Sequence, residues 1–266
     1  MRIVDAQIHL FSPDSQEYAA AVHQVILTPE QVIAEMDEAG VERAYLVPAG
    51  GSVANDTCLS AARRWPERFR VMGRISLNRP EGRAMMQDWA GQGFAGVRLA
   101  FPPLSRSNWL KDGTADWFWP EAECNRIALM IWAPGQLEEV GRLAARHPGI
   151  RFVVDHFGLY VEDKDAAVGP VVANLLPLAR HANVAVKASA LPAHSTAPWP
   201  YRNLHPYIRQ VVDAFGTERV MWGTDLTRRA CSYDQAVRMF TEELGFLDQK
   251  QLEDLMYASA TRWLGW

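Results

Sequence analysis

Eight short runs of β-branched and apolar residues recur along the chain, and nearly every one leads into a segment of helical periodicity. They lie near Ile3–Ile8, Arg43–Val47, Arg70–Ile75, Gly96–Ala100, Leu129–Ala133, Arg151–Asp155, Val184–Ala188 and Val220–Gly223. A repeated strand-then-helix order dictates parallel pairing, because parallel neighbours need a crossover long enough to hold a helix. Eight such units predict an α/β fold, the closed (β/α)8 TIM barrel. An open doubly wound sheet is the alternative, but no glycine-rich fingerprint follows an early strand. The 266 residues suit one such domain spanning 1–266.

The connecting segments carry readable punctuation. Thr28-Pro29-Glu30-Gln31 has the form of a capping box with proline at the first helical position. Val32, Ile33, Met36 and Ala39 then form an apolar stripe, and Gly40 stops the helix. Pro134-Gly135 opens a helix through Leu137, Val140, Leu143 and Ala144, closed by His147-Pro148-Gly149. Asn203 to Phe215 repeats that spacing, with Gly216 as its end. Three loops are long: Phe11–Leu27, Phe101–Ala115 and Leu191–Arg202. All follow strand C-terminal ends, where such barrels build their sites.

Charge and cysteine usage exclude several classes of function. A net charge of −4 gives no electrostatic case for nucleic acid. No apolar run approaches the roughly 18 residues that would span a membrane. The opening strand starts within a few residues of Met1, with no basic-then-apolar leader. Cys58, Cys124 and Cys231 are odd in number and show no CxxC, a reduced pattern that fits a cytoplasmic protein. Monomer and homodimer both stay open.

The chemistry-bearing residues collect at strand ends. Asp5, Gln7 and His9 alternate, so a regular strand points all three into the barrel, with His9 at the mouth. A polar barrel plug would use the same residues. Asp155-His156-Phe157-Gly158 closes another apolar strand, and Asp225 follows Trp222-Gly223-Thr224 at the last one. Asp225 can serve as a base or cap the next helix. Lys187 and Ser189 share one face of the seventh strand, and a lysine there needs an acid partner or a ligand. Arg74 and Arg98 end two more strands, suited to a substrate carboxylate or carbonyl, or to internal ion pairs. Trp132, Trp109, Trp199 and Tyr201 are candidate pocket walls. His23, His147, His181, His194 and His205 read as helix or loop histidines.

Together these strings resemble the amidohydrolase-related branch of the amidohydrolase superfamily. The resemblance rests on Asp5-Ala-Gln-Ile-His9, Gly96-Val-Arg98, Asp155-His156-Phe-Gly158, Lys187-Ala-Ser189 and Phe215-Gly-Thr-Glu-Arg-Val-Met-Trp-Gly-Thr-Asp225, in that order. It runs from Ile3 to the final Trp266 and is nearest in style to sugar-acid and dicarboxylate lactonases and lactone isomerases. It implies a TIM-barrel hydrolase with Asp225, His156 and His9 as catalytic residues. Gln7, Arg74, Arg98, Trp132, Lys187, Ser189 and Tyr201 would bind substrate.

One departure matters. The family's first strand usually ends His-x-His, two metal-binding imidazoles, and here the first is Gln7, whose neutral amide is a poorer zinc ligand. A zinc-like divalent metal would rest on His9, His156 and Asp225 alone, so no cofactor is favoured. The expected substrate is an acidic or polyhydroxylated lactone, opened by water that Asp225 activates. A metal-independent sugar-diacid lactone isomerase, a metal-dependent decarboxylase and a non-catalytic binding barrel are the alternatives.

Overall fold

The computed structural model describes residues 1–50, 53–102 and 109–266. Its strands are β1 (Val4–Phe11), β2 (Arg43–Ala49), β3 (Phe69–Gly73), β4 (Gly96–Ala100), β5 (Ala128–Trp132), β6 (Arg151–Val154), β7 (Val184–Ser189) and β8 (Val220–Gly223). They lie in sequence order and every pair is parallel, the TIM-barrel arrangement expected from the sequence. Past the end of β8 the chain turns back onto β1. Asp225 N donates to Gln7 O at 2.9 Å and Thr224 N to Asp5 Oδ1 at 3.0 Å. Residues 219 positions apart in sequence, Asp5 and Thr224, therefore meet at one mouth.

The capping box holds in both directions: Thr28 Oγ1 accepts from Gln31 N, and the Gln31 side chain accepts from Thr28 N. The helix Pro29–Glu38 buries Val32 and Met36 and ends before Gly40, whose φ of +69° is left-handed. Leu137–Arg146 and His205–Phe215 form the other two helices read from the sequence. The first long loop holds a short helix, Gln16–Ala21, and the third holds one helical turn, Leu191–His194, with a second, Arg202–Leu204, starting at its end. Part of Phe101–Ala115 lies outside the described residues.

Two apolar clusters divide the core. The larger one fills the space between the strands' outer faces and the helices. The other is the barrel interior, where Val4, Ala6, Tyr45, Val47, Met72, Met130, Val153 and Met221 meet Ala260, Trp263 and Leu264 of the last helix. That helix plugs the floor, leaving the opposite end for polar side chains.

β1 departs from simple alternation. Asp5 pairs with Ala44 but Ile8 with Leu46, so β1 carries one extra residue, a bulge. Val4 and Ala6 accordingly face the interior, while Ile8 and Leu10 belong to the outer cluster. The expectation that Asp5, Gln7 and His9 share a face is thereby corrected. Gln7 and His9 face inward together, and Asp5 faces the helix layer.

Gly96 in β4 is crowded by both neighbouring strands, β3 and β5. A Cβ there would stand 2.3 Å from Ala128 O and 2.5 Å from Met72 Cε. Gly96→Ala is expected to cost about 1–3 kcal/mol by pushing β4 off the β5 backbone and the Met72 side chain of β3. A urea denaturation series would show this as a lowered midpoint at unchanged slope.

Candidate active site

The mouth of the barrel is built from the C-terminal ends of β1, β4, β6, β7 and β8. Three of its residues, His156 (φ 51°), Phe157 (φ 55°) and Asp225 (φ 54°), sit in the left-handed region, which costs energy for residues with a Cβ. These turns swing the chain sharply off β6 and β8. His156 and Asp225 are thereby set over the barrel end instead of continuing along it.

Asp225 is the centre of the arrangement. Its Oδ2 accepts from Arg228 Nε, while Oδ1 has no hydrogen-bond partner among the described residues. His9 Nε2 lies 3.4 Å from Oδ1, and His156 Nε2 lies 4.0 Å from Oδ2. Burial alone would push this carboxyl up, but Arg228, with His9 and His156, holds it well below the usual carboxylate range. A buried anion with one unengaged oxygen results.

Burial drives the His9 imidazole down to about 4, against the pull of Asp225, and that of His156 down to about 3. Both are therefore neutral near pH 7. His9 Nδ1 lies 2.9 Å from the Val47 carbonyl, which only an N–H can satisfy. Its Nε2 is thus the lone-pair nitrogen and accepts from Gln7 Nε2 at 3.2 Å. Ser189 Oγ sits 2.8 Å from His156 Nδ1 and fixes that ring.

Beneath these groups lies a second charge cluster, whose Lys187–Asp155 pair is fully buried. Lys187 Nζ is 2.7 Å from Asp155 Oδ1 and also donates to Gln7 Oε1. Arg98 Nε reaches Asp155 Oδ2 at 3.1 Å. Burial would raise Asp155, but Lys187 and Arg98 keep it below its ordinary range. On the outer side, Asp5 accepts from Gln7 N, Thr224 N, Thr224 Oγ1 and Tyr233 Oη. Burial nevertheless raises its carboxyl to about 6. Asp5 splices β1 to the chain leaving β8.

The residues singled out in sequence are placed as follows. His9, His156 and Asp225 converge, with Gln7 and Ser189 directly behind the imidazoles. Of the two roles open to Lys187, the structure displays the acid pairing, since its side chain is wholly buried. Arg98 combines an ion pair with a position on the wall of a cavity of about 420 Å³ at the ends of β3 and β4. Arg74, Arg79, Asn55, Ser76 and Trp109 line the same cavity. Asp225, His9 and His156 are outside its lining, and Arg98, paired with Asp155, is the residue it shares with the buried charge cluster. Trp132 Nε1 donates to Leu159 O at 2.9 Å and Tyr201 Oη to Ala230 O at 3.3 Å, so both polar tips are spent on backbone. One residue escaped the sequence reading: Arg228, signalled only by lying three positions after Asp225. His194, read as a loop histidine, lies on the turn after β7, buried and bonded to the Asp163 carbonyl at 2.7 Å.

The donor set does not fit a divalent metal. Gln7 offers its N–H to the His9 lone pair that a metal would need, and its carbonyl oxygen is engaged by Lys187. One Asp225 oxygen is held by Arg228. Among the described residues, no group of three or more His, Cys, Asp or Glu is arranged to hold a metal ion.

Residues 4–266 match the sequence profile of the family described as amidohydrolase. The chain belongs to the amidohydrolase family. Among curated proteins it is similar to an L-fucono-1,5-lactonase of Burkholderia ambifaria, 27% identical over 141 residues. That match covers 50% of this chain and 46% of the relative, so the chain spans about half the length of this lactonase. An amidohydrolase of Burkholderia multivorans solved with bound zinc has a TM-score of 0.85 at 20% identity, over 99% of each chain. A probable 2-pyrone-4,6-dicarboxylic acid hydrolase of Acinetobacter baumannii with citric acid bound gives 0.76 at 18% identity, over 100% of each chain. At such identities the two structures attest the barrel alone. Among the described residues of this amidohydrolase, no helix is long and apolar enough to cross a membrane.

Proposed function

We propose that this amidohydrolase is a metal-independent lactonase that opens an acidic or polyhydroxylated lactone with water. The observation that carries the reading is the Asp225 carboxylate, ionised and buried, with Oδ1 unengaged at the barrel mouth between two neutral imidazoles. A general base must be deprotonated and within reach of the proton that it removes. Asp225 Oδ1 takes a proton from water as the water oxygen attacks the ring carbonyl. The carbonyl electrons move onto oxygen, then return as the ring C–O bond breaks. The leaving ring oxygen takes the proton back from Asp225, giving a hydroxy acid.

Electrostatic stabilisation of the oxyanion falls to Arg98, with imidazole N–H donation from His156. The cavity that Arg98 lines supports the substrate class. Its volume lies within the usual range for small-molecule pockets, and its wall sets Arg74, Arg79 and Arg98 against Glu81. Asn55, Ser76 and Asn78 add amide and hydroxyl groups suited to substrate hydroxyls.

The test is proton release and product identity from a panel of sugar-acid and dicarboxylate lactones, with and without a chelator. Hydrolysis undiminished by chelator is expected. Loss of activity on chelation would overturn metal independence, and a rearranged lactone without free acid would replace hydrolysis by isomerisation. The pH profile gives a separate expectation. With His9 titrating near 4, His156 near 3 and Asp225 lower, kcat/KM is expected to stay level from about pH 5 to 8 and fall only below about 4. A limb near pH 7, as metal-bound water produces, would contradict it.

A further inference from the structure

We propose that Lys187 is the built-in cation of this barrel and that, acting through Gln7, it closes the centre to a divalent metal. The loss of one imidazole ligand at position 7 is only half of that device. Lys187 is fully buried, which lysine tolerates only when paired. Both of its oxygen contacts are acceptors: Asp155 Oδ1 at 2.7 Å and Gln7 Oε1.

Gln7 works as a relay because its amide has two unlike ends. With the carbonyl turned to the Lys187 ammonium, the NH2 group must point the other way, and it meets His9 Nε2 at 3.2 Å. His9 has no freedom to respond, since its Nδ1–H is held by Val47 O at 2.9 Å. The polarity of the chain Lys187, Gln7, His9 thus runs in one direction. Turning the amide over to free His9 would set NH2 against ammonium, two donors with nothing to accept. A metal entering here would displace the Gln7 hydrogen bond and also face the Lys187 charge, a repulsion little screened inside a protein.

It follows that restoring histidine at position 7 is insufficient by itself, because the new imidazole would still lie against the ammonium. The experiment is zinc titration against a chromogenic chelator for the wild-type protein, Gln7→His, Lys187→Met and the double variant. Wild type and each single variant are expected to bind zinc equally weakly. The double variant should take up one equivalent at least about 100-fold more tightly, the scale of removing a nearby like charge. Tight binding by Gln7→His alone would overturn the role of Lys187. A double variant no tighter than wild type would overturn the idea that His9, His156 and Asp225 form a metal site once Gln7 and Lys187 are both replaced. If Lys187→Met does not fold in the Gln7→His background, Lys187→Gln keeps a hydrogen-bonding group for Asp155 and serves the same comparison. Zinc binding is read without any lactone, so failure of this proposal and failure of the hydrolytic reading are separate results.

Discussion

Asp225→Asn is expected to lower lactone turnover by about 10²–10⁴-fold while leaving the barrel folded. The substitution keeps the volume of the side chain and removes the only property the mechanism asks of it, a basic oxygen. Oδ1 is the atom concerned, because Oδ2 is already committed to Arg228. The fold should survive, since the Arg228 side chain is 18% exposed and can recover hydration when its anionic partner is lost. Steady-state kinetics beside a thermal melt separate the two effects. Turnover within a few-fold of wild type would remove Asp225 from the base role. The same carboxylate also links stability to pH. Its folded-state value is depressed, so its stabilising contribution is present above the unfolded carboxylate range and is lost as pH falls through the folded value.

The largest effect on stability is expected one layer down, at Asp155→Asn. Lys187 and Arg98 both rest on that carboxylate, and neither the acid nor the lysine is exposed. Replacing a buried ion pair by well-packed apolar groups can be harmless, but removing one partner leaves a charge without compensation. A loss of about 3–5 kcal/mol follows from that asymmetry, on the order of 10 °C in melting temperature for a domain of this size. A pH test identifies the cause. Burial already lowers Lys187, and without Asp155 the main opposing charge is gone, leaving only the weaker pull of Asp225, so the folded variant binds fewer protons there than the unfolded chain. Stability then rises with pH, and the deficit against wild type should narrow in calorimetric scans as pH rises towards the ordinary lysine range. A deficit that does not change with pH would assign the loss to packing instead of charge.

Much of the barrel was legible because it is written in local periodicity. Val184-Ala-Val-Lys-Ala-Ser189 reads as a strand from its own composition, and Thr28 to Gln31 as a helix start from its own side-chain chemistry. The convergence of His9 with Asp225 was legible too, because the first and last strands of a closed barrel are neighbours whatever lies between them. The bulge in β1 was not. Val4-Asp-Ala-Gln-Ile-His9 alternates in either register, and only pairing with β2 decides where the extra residue sits. Asp5 was therefore assigned to the wrong face.

Residue identity alone determined the fold class, the strand ends that bear chemistry and the departure at position 7. Each of these follows from which side chains occur and at what spacing. Tertiary structure decided how those side chains are spent. It set Lys187 on Asp155 and Gln7, Arg228 on Asp225, and the Gln7 N–H on His9. Hydrogen bonds and buried charges are satisfied by whatever stands within about 3 Å, and residues 180 positions apart come that close only once the barrel has closed.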